Sequence, residues 1–267
     1  MFWHGLGHAG NGSFLDVATP PLVTAGCTTY ALDGPGFGGS DGVEPWRYSV
    51  ESLAGLLWDA VDALGLSRPV LSGHSWGGAV ALIAAAQRPA DVCALVLFDS
   101  GHMDYRDLPD ARAEATIDEL IAELEADPVP DKWDDLVALL AEHDLDAEWT
   151  LAAWREGFEV DPEGRIRRHA TDLAIAAASQ GLMQARPTAA WPTIAAAGIP
   201  TLVLLATEPP EYRQPNSEAA RRMQAAVPQA DIRPVSGMRH AVFPDLGAGA
   251  GTLVADWLRN QRLVGSS

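Results

Sequence analysis

The sequence predicts an α/β fold, a mostly parallel, doubly wound sheet interrupted by a helical insertion. Three observations predict it. The first hundred or so residues alternate short apolar runs with helical patterns, the alternation stops between about Met103 and Ala189, and it resumes from Ile199 onward. Alternating strands and helices favour right-handed crossovers between parallel strands, with helices on both faces of the sheet. A chain of 267 residues, 48% of them hydrophobic, is long enough to bury one large core with an insertion.

The elements follow in order. Only Met1-Phe2-Trp3 precedes the loop HGLGHAGNG, so the opening strand is expected to be short. TTYALDGPGFGGSDG reads as a strand running into a glycine-rich loop. VESLAGLLWDAVDALGL spaces its apolar residues at helical period, and Gly65 is its stop. PVLSG is a buried-strand run, AVALIAAAQRP a helix and ALVLFDSG another strand. The insertion reads as helices with one extended or turn-like stretch at FEVDPEGRIRR. After it, IPTLVLLA and ADIRPVS are strands, and NSEAARRMQAAV and AGTLVADWLRNQ are helices.

Charge and composition narrow the function classes. There are 36 acidic against 18 basic residues, a formal net charge of −18. That balance disfavours nucleic acid and anionic membrane surfaces as partners. Much of the excess lies in ARAEATIDELIAELEADPVPDKWDDLVALLAEHDLDAEW, which reads as the solvated face of a helical group. No apolar run reaches the roughly 20 residues of a membrane-spanning helix, and MFWHGLGHAG has no signal-peptide pattern. Cys27 and Cys93 are too few for a disulfide framework, so a cytoplasmic location is expected. No His/Cys/carboxylate cluster shows metal-ligand spacing. DGPGFGG lacks the lysine of a P-loop and the spacing of a dinucleotide fingerprint, so neither metal nor cofactor is expected.

Gly73-His74-Ser75-Trp76-Gly77 matches G-x-S-x-G between a strand and a helix. A nucleophile displayed on so tight a turn sits in strained backbone, and bulk at either flank would clash with the neighbouring elements. The following helix N-terminus adds a positive dipole end, and the Trp76 N–H can point at a developing oxyanion. His4-Gly5-Leu6-Gly7 ends the first strand, where a second oxyanion donor, the Leu6 N–H, would come from. Asp33-Gly34-Pro35-Gly36-Phe37-Gly38-Gly39-Ser40 reads D-x-P-G-x-G-x-S.

In this order and spacing, HG, DGPGFGGS and SGHSWGG resemble the α/β-hydrolase fold family, in its esterase-like serine hydrolase branch. The resemblance spans nearly the whole chain. It implies a core at 1–102 and 190–267, a helical cap at 103–189, and N-terminal strands that are missing or shortened. It implies Ser75 as nucleophile and, through Gly237-Met238-Arg239-His240, His240 as general base. The acid departs from pattern. After PTLVLLA, where relatives usually carry it, this chain has Thr207-Glu208-Pro209, and Pro209 stands in the acid's place. Asp99, at the end of ALVLFDSG, matches the position used by some branches and is preferred; Glu208 is the alternative.

Of the other histidines, His4 and His74 read as structural, His8 as lining the site entrance, and His143 and His169 as cap surface or packing. His102 closely follows ALVLFDSG and is a candidate to face the site. The cap supplies Met103, Tyr105, Trp133, Trp149, Trp154, Phe158 and Met183. Such side chains line a hydrophobic pocket or pack the cap helices together. His102, Trp154 and Met183 are the candidate substrate contacts. The expected activity is cleavage of an ester or lactone of a small to medium hydrophobic compound. A C–C bond hydrolase or amidase with the same triad is the alternative, as is a non-catalytic binding protein on the same scaffold. Epoxide hydrolases and dehalogenases of this fold need an aspartate where Ser75 stands, so the resemblance argues against both.

Overall fold

The computed structural model describes residues 1–7, 14–108, 111–126, 128–142 and 155–264. Its main sheet has six parallel strands: β1 (Phe2–Trp3), β2 (Ala31–Leu32), β3 (Val70–His74), β4 (Ala94–Phe98), β7 (Thr201–Ala206) and β8 (Ala230–Val235). Between β4 and β7 in the chain, β5 (Phe158–Val160) and β6 (Ile166–Arg168) form a separate antiparallel hairpin. The main sheet is ordered β2-β1-β3-β4-β7-β8. The short opening strand is therefore interior: Phe2 pairs with Ala31 on one side and Ser72 on the other. The edges are β2 and β8.

Both faces of the sheet are covered, so its central strands are continuous apolar runs. In β4, Leu95 and Leu97 join one hydrophobic cluster, while Ala94, Val96 and Phe98 join the other. This is the period-2 alternation of a strand applied to a sheet with two dry sides. The helices Val50–Ala63 and Trp76–Gln87 supply Leu53, Leu57, Trp58 and Val80 to the first cluster. Ser49 caps the first of these, its hydroxyl accepting from the Ser52 N–H, and Gly65 ends it with φ of +63°.

The second cluster is covered by the helix Ala248–Asn260 and by an element the sequence reading did not foresee, a wide turn at Phe14–Ala18 running into the helix Thr19–Thr24. Pro20 and Pro21 stand near its start, where their missing N–H groups cost nothing. Phe14 stacks on Phe2 with ring centroids 3.8 Å apart. A Cβ on Gly251 would meet the Ala18 carbonyl oxygen at 1.9 Å, so the two helical segments touch backbone to backbone.

Residues 103–189 contain the helices Ile117–Ala126, Trp133–Glu142 and Asp172–Gln184 and the β5–β6 hairpin. The turn-like FEVDPEGRIRR is this hairpin. Asp161 closes it by accepting from the Glu163 and Arg165 N–H groups. Trp133 and Phe158 meet edge-to-face beside Leu136 and Ile166 in a small satellite core. The helix Asp172–Gln184 joins the two parts: Ala174, Ala177, Ala178 and Leu182 belong to the main cluster, while Ile175 and Ala176 line a space shared with Leu120 and Leu136. Among the described residues, no helix is long and apolar enough to cross a membrane.

Candidate active site

β3 ends at His74, the chain turns at Ser75 with φ 52° and ψ −118°, and the helix Trp76–Gln87 begins at once. Such a conformation costs a β-substituted residue about 1–3 kcal/mol and persists only where its surroundings hold it. The motif glycines are what permit the turn. A Cβ on Gly73 would meet the Gly77 carbonyl oxygen at 2.2 Å, and one on Gly77 would meet the Trp3 carbonyl oxygen at 2.1 Å. The turn is held by the Ser75 N–H donating to the Phe98 carbonyl (3.1 Å) and the Ser100 hydroxyl donating to the Ser75 carbonyl (2.6 Å).

Three side chains from distant parts of the chain meet here. His240 Nδ1 lies 2.6 Å from Asp99 Oδ2, and its Nε2 lies 2.9 Å from Ser75 Oγ. A carboxylate only accepts, so Nδ1 carries the proton, which leaves Nε2 to accept from the serine hydroxyl. Asp99 sits just beyond β4 with φ 45°, and its Oδ1 accepts from the Ala206 N–H at 2.8 Å, so the end of β7 orients the carboxylate. Burial pushes the Asp99 carboxyl up. The hydrogen bond and charge of His240, the charge of His102 and the Ala206 N–H outweigh it and hold the group below its ordinary value.

Glu208, the alternative acid, does not reach the imidazole. Its carboxylate pairs with Arg213, whose Nε also donates to the Thr207 carbonyl. The Thr207 and Glu208 N–H groups both donate to the Met238 carbonyl. The turn therefore runs beside the histidine loop while its side chain points to the next helix.

The remaining motif residues hold loops together. His4 is buried, and its Nε2 accepts from the Gly34 N–H at 2.8 Å, so its Nδ1 must donate to the Gly5 carbonyl at 2.7 Å. One neutral tautomer thus ties the HG loop to DGPGFGGS. Burial pulls its pKa down to about 4, against smaller opposing effects of the Gly5 carbonyl and Asp33. The Trp76 indole is fully buried against Trp3, His4 and Phe37, so its ring is core rather than a wall of the site. Its N–H stands at the start of the helix after Ser75.

Leu6 follows β1 and, with Gly7, lines an open cleft of about 280 Å³ together with Leu124, Val129, Phe158, Arg168 and Ile175. A second space of about 330 Å³ shares Leu124, Val129 and Ile175 and reaches Leu120 and Leu136.

His102, a candidate substrate contact, is enclosed and only 3% exposed. Its Nε2 lies 3.3 Å from Asn216 Oδ1, and Asn216 Nδ2 donates to the Ala206 carbonyl, so the pair backs the Asp99 end of the relay. Burial lowers the His102 pKa, opposed by Asp99. Met183 is half-buried against the main cluster, and His169 is exposed. Trp154, His8, His143 and Trp149 lie outside the described residues.

Tyr105 is closer to the chemistry than its place among the cap aromatics suggests. Its phenol lies 3.4 Å from Ser100 Oγ, the hydroxyl that donates to the Ser75 carbonyl, and burial pushes its pKa up to about 12. Among the described residues, no group of three or more His, Cys, Asp or Glu is placed to hold a metal ion.

The chain belongs to the alpha/beta hydrolase fold family, whose profile matches residues 1–208. It is 40% identical over 78 residues to epoxide hydrolase 3 of Xenopus tropicalis, covering 29% of this chain and 21% of that protein. It is 38% identical over 99 residues to the lipase LipV of Mycobacterium tuberculosis, covering 36% of this chain and 31% of that one. The matched stretches thus span less than a third of either relative. Among solved structures, a marine microorganism esterase superposes with a TM-score of 0.69 over 97% of this chain and 93% of its own, at 17% identity, a likeness of fold alone.

Proposed function

We propose that this protein is a serine hydrolase that cleaves an ester or lactone of a small to medium hydrophobic compound through an acyl-enzyme on Ser75. The observation that carries the reading is the continuous relay from Ser75 Oγ through His240 (2.9 Å) to Asp99 (2.6 Å). Ser75 Oγ attacks the substrate carbonyl while His240 Nε2 takes its proton, and Asp99 steadies the imidazolium that forms. The Trp76 and Leu6 N–H groups receive the charge developing on the carbonyl oxygen. The imidazolium then protonates the departing alcohol. In the second half His240 activates water, which releases the acid and restores the serine.

Hydrophobic substrates are favoured by the apolar lining that begins at Leu6 and continues through Leu124, Val129, Phe158 and Ile175. The names of the relatives include both lipase and epoxide hydrolase. The serine at position 75 supports the former kind of chemistry: its attack on an acyl carbonyl gives an ester that water hydrolyses, whereas its attack on an epoxide carbon would give an ether that does not turn over. A panel of p-nitrophenyl esters of increasing acyl length tests the reading. Turnover of short to medium esters is expected, and Ser75→Ala should reduce it by at least about 10³-fold. Failure of the folded protein to turn over any ester, or survival of turnover in Ser75→Ala, would contradict it.

A further inference from the structure

His74 immediately precedes Ser75 and has no place in the proton relay, yet it holds the backbone of the base. Its Nε2 lies 2.6 Å from the His240 carbonyl oxygen, across 166 residues of sequence. A carbonyl only accepts, so His74 Nε2 carries a proton and donates it. The two imidazole rings pack with centroids 5.1 Å apart, and Phe243 lies against His74 at 6.1 Å. His74 is buried, whereas the His240 side chain is 52% exposed. The base therefore depends on its backbone for much of its placement.

That backbone is pinned from two sides. Ahead of the base, Thr207 and Glu208 donate to the Met238 carbonyl, and the Arg239 N–H donates to Asp245 Oδ2 at 2.7 Å. Behind it, the bond from His74 fixes the peptide carbonyl of His240 itself. With the Met238–Arg239 peptide unit held before the base and the peptide unit after it held by His74, the ring lies between Ser75 and Asp99. Because His74 and Ser75 are consecutive, one strand end carries both the nucleophile and the anchor of its base.

We propose that His74 is a positioning residue, whose Nε2–H anchors the His240 carbonyl and thereby keeps the general base in line with Ser75 and Asp99. Its kinetic consequence rests on the serine hydrolase reading; its geometric consequence does not. Misplacing a reacting group by about 1 Å costs on the order of 10²-fold in rate, so the anchor governs kcat more than substrate binding.

Two variants separate the donor from the ring. His74→Phe keeps the ring and removes the donor; His74→Gln keeps a donor of similar reach. With p-nitrophenyl esters, His74→Phe should lower kcat by about 10- to 100-fold with KM within about two-fold, and His74→Gln should recover most of the loss. Independently of activity, proton NMR should show a low-field Nδ1 proton of the His240–Asp99 hydrogen bond in the wild type and His74→Gln. In His74→Phe this signal should be broadened or lost. An unchanged signal in a folded His74→Phe overturns the proposal even if no ester is cleaved. So does a loss of kcat that His74→Gln fails to recover. An inactive wild type with the expected NMR pattern would instead count against the hydrolase reading alone.

Discussion

Ser75 occupies a backbone conformation that a serine avoids, φ 52° and ψ −118°, and Asp99 does the same at φ 45°. Two strained residues at the ends of adjacent strands, joined by one imidazole, are the residue-scale content of the site. The turn at Ser75, the candidate nucleophile, was legible in the sequence because its requirements are local: Gly73 and Gly77 stand where a Cβ would strike backbone at 2.2 and 2.1 Å. The acid was not settled there, since the choice between Asp99 and Glu208 turns on how β4 and β7 end relative to each other. The Ala206 N–H on Asp99 and Arg213 on Glu208 separate the two. Asp99→Asn should therefore lower kcat by about 10³- to 10⁴-fold, because an amide no longer holds the productive tautomer. Glu208→Gln should remain within a few-fold of wild type, as measured in steady-state ester hydrolysis. His74 escaped sequence reasoning for a related cause: its partner is a backbone carbonyl 166 positions away.

At the scale of elements, the loops matter more than the strands they leave. The HG and DGPGFGGS loops appear in the sequence as separate motifs; in the structure they are one unit, joined where the Gly34 N–H meets His4 Nε2. Asp33 completes the second loop by accepting from the Gly39 N–H, and a Cβ on Gly38 would collide with its carboxylate. The tie has a pH signature. His4 must stay neutral in the fold, with a pKa of about 4 against an ordinary value near 6.5. Between those values the unfolded chain binds the proton and the native protein does not, so stability is full above about pH 6.5 and is lost as pH falls toward about 4. The shift corresponds to about 3 kcal/mol across that window. Urea unfolding from pH 7 to pH 4 should show it as the difference in slope between wild type and His4→Gln. An equal slope in both would contradict the assignment. The segment Phe14–Thr24 was not legible as a helix, because Pro20 and Pro21 interrupt any periodic pattern and its partners, Phe2, Phe243 and Gly251, are distant in the chain.

Over the whole molecule, strand and helix alternation gave away the parallel sheet because a sheet covered on both faces needs continuous apolar strands, and Val96, Leu97 and Phe98 are of that kind. The insertion was legible as helices with one extended or turn-like stretch, which is the β5–β6 hairpin. Nothing in its periodicity distinguishes the Trp133–Phe158 satellite core from the helix Asp172–Gln184, whose alanines complete the main core. The apolar space near Leu6 is lined from both parts, by Val129 and Phe158 beside the satellite core and by Ala170 and Ile175 at the main one. We propose that this architecture makes Ser75 a nucleophile driven by His240. The most direct measurement is reaction of the folded protein with a fluorophosphonate, followed by mass spectrometry of its peptides. The account predicts one adduct per chain, on Ser75, formed in the wild type and lost in His240→Ala. A folded protein that takes up no adduct, or carries it on another residue, would contradict it.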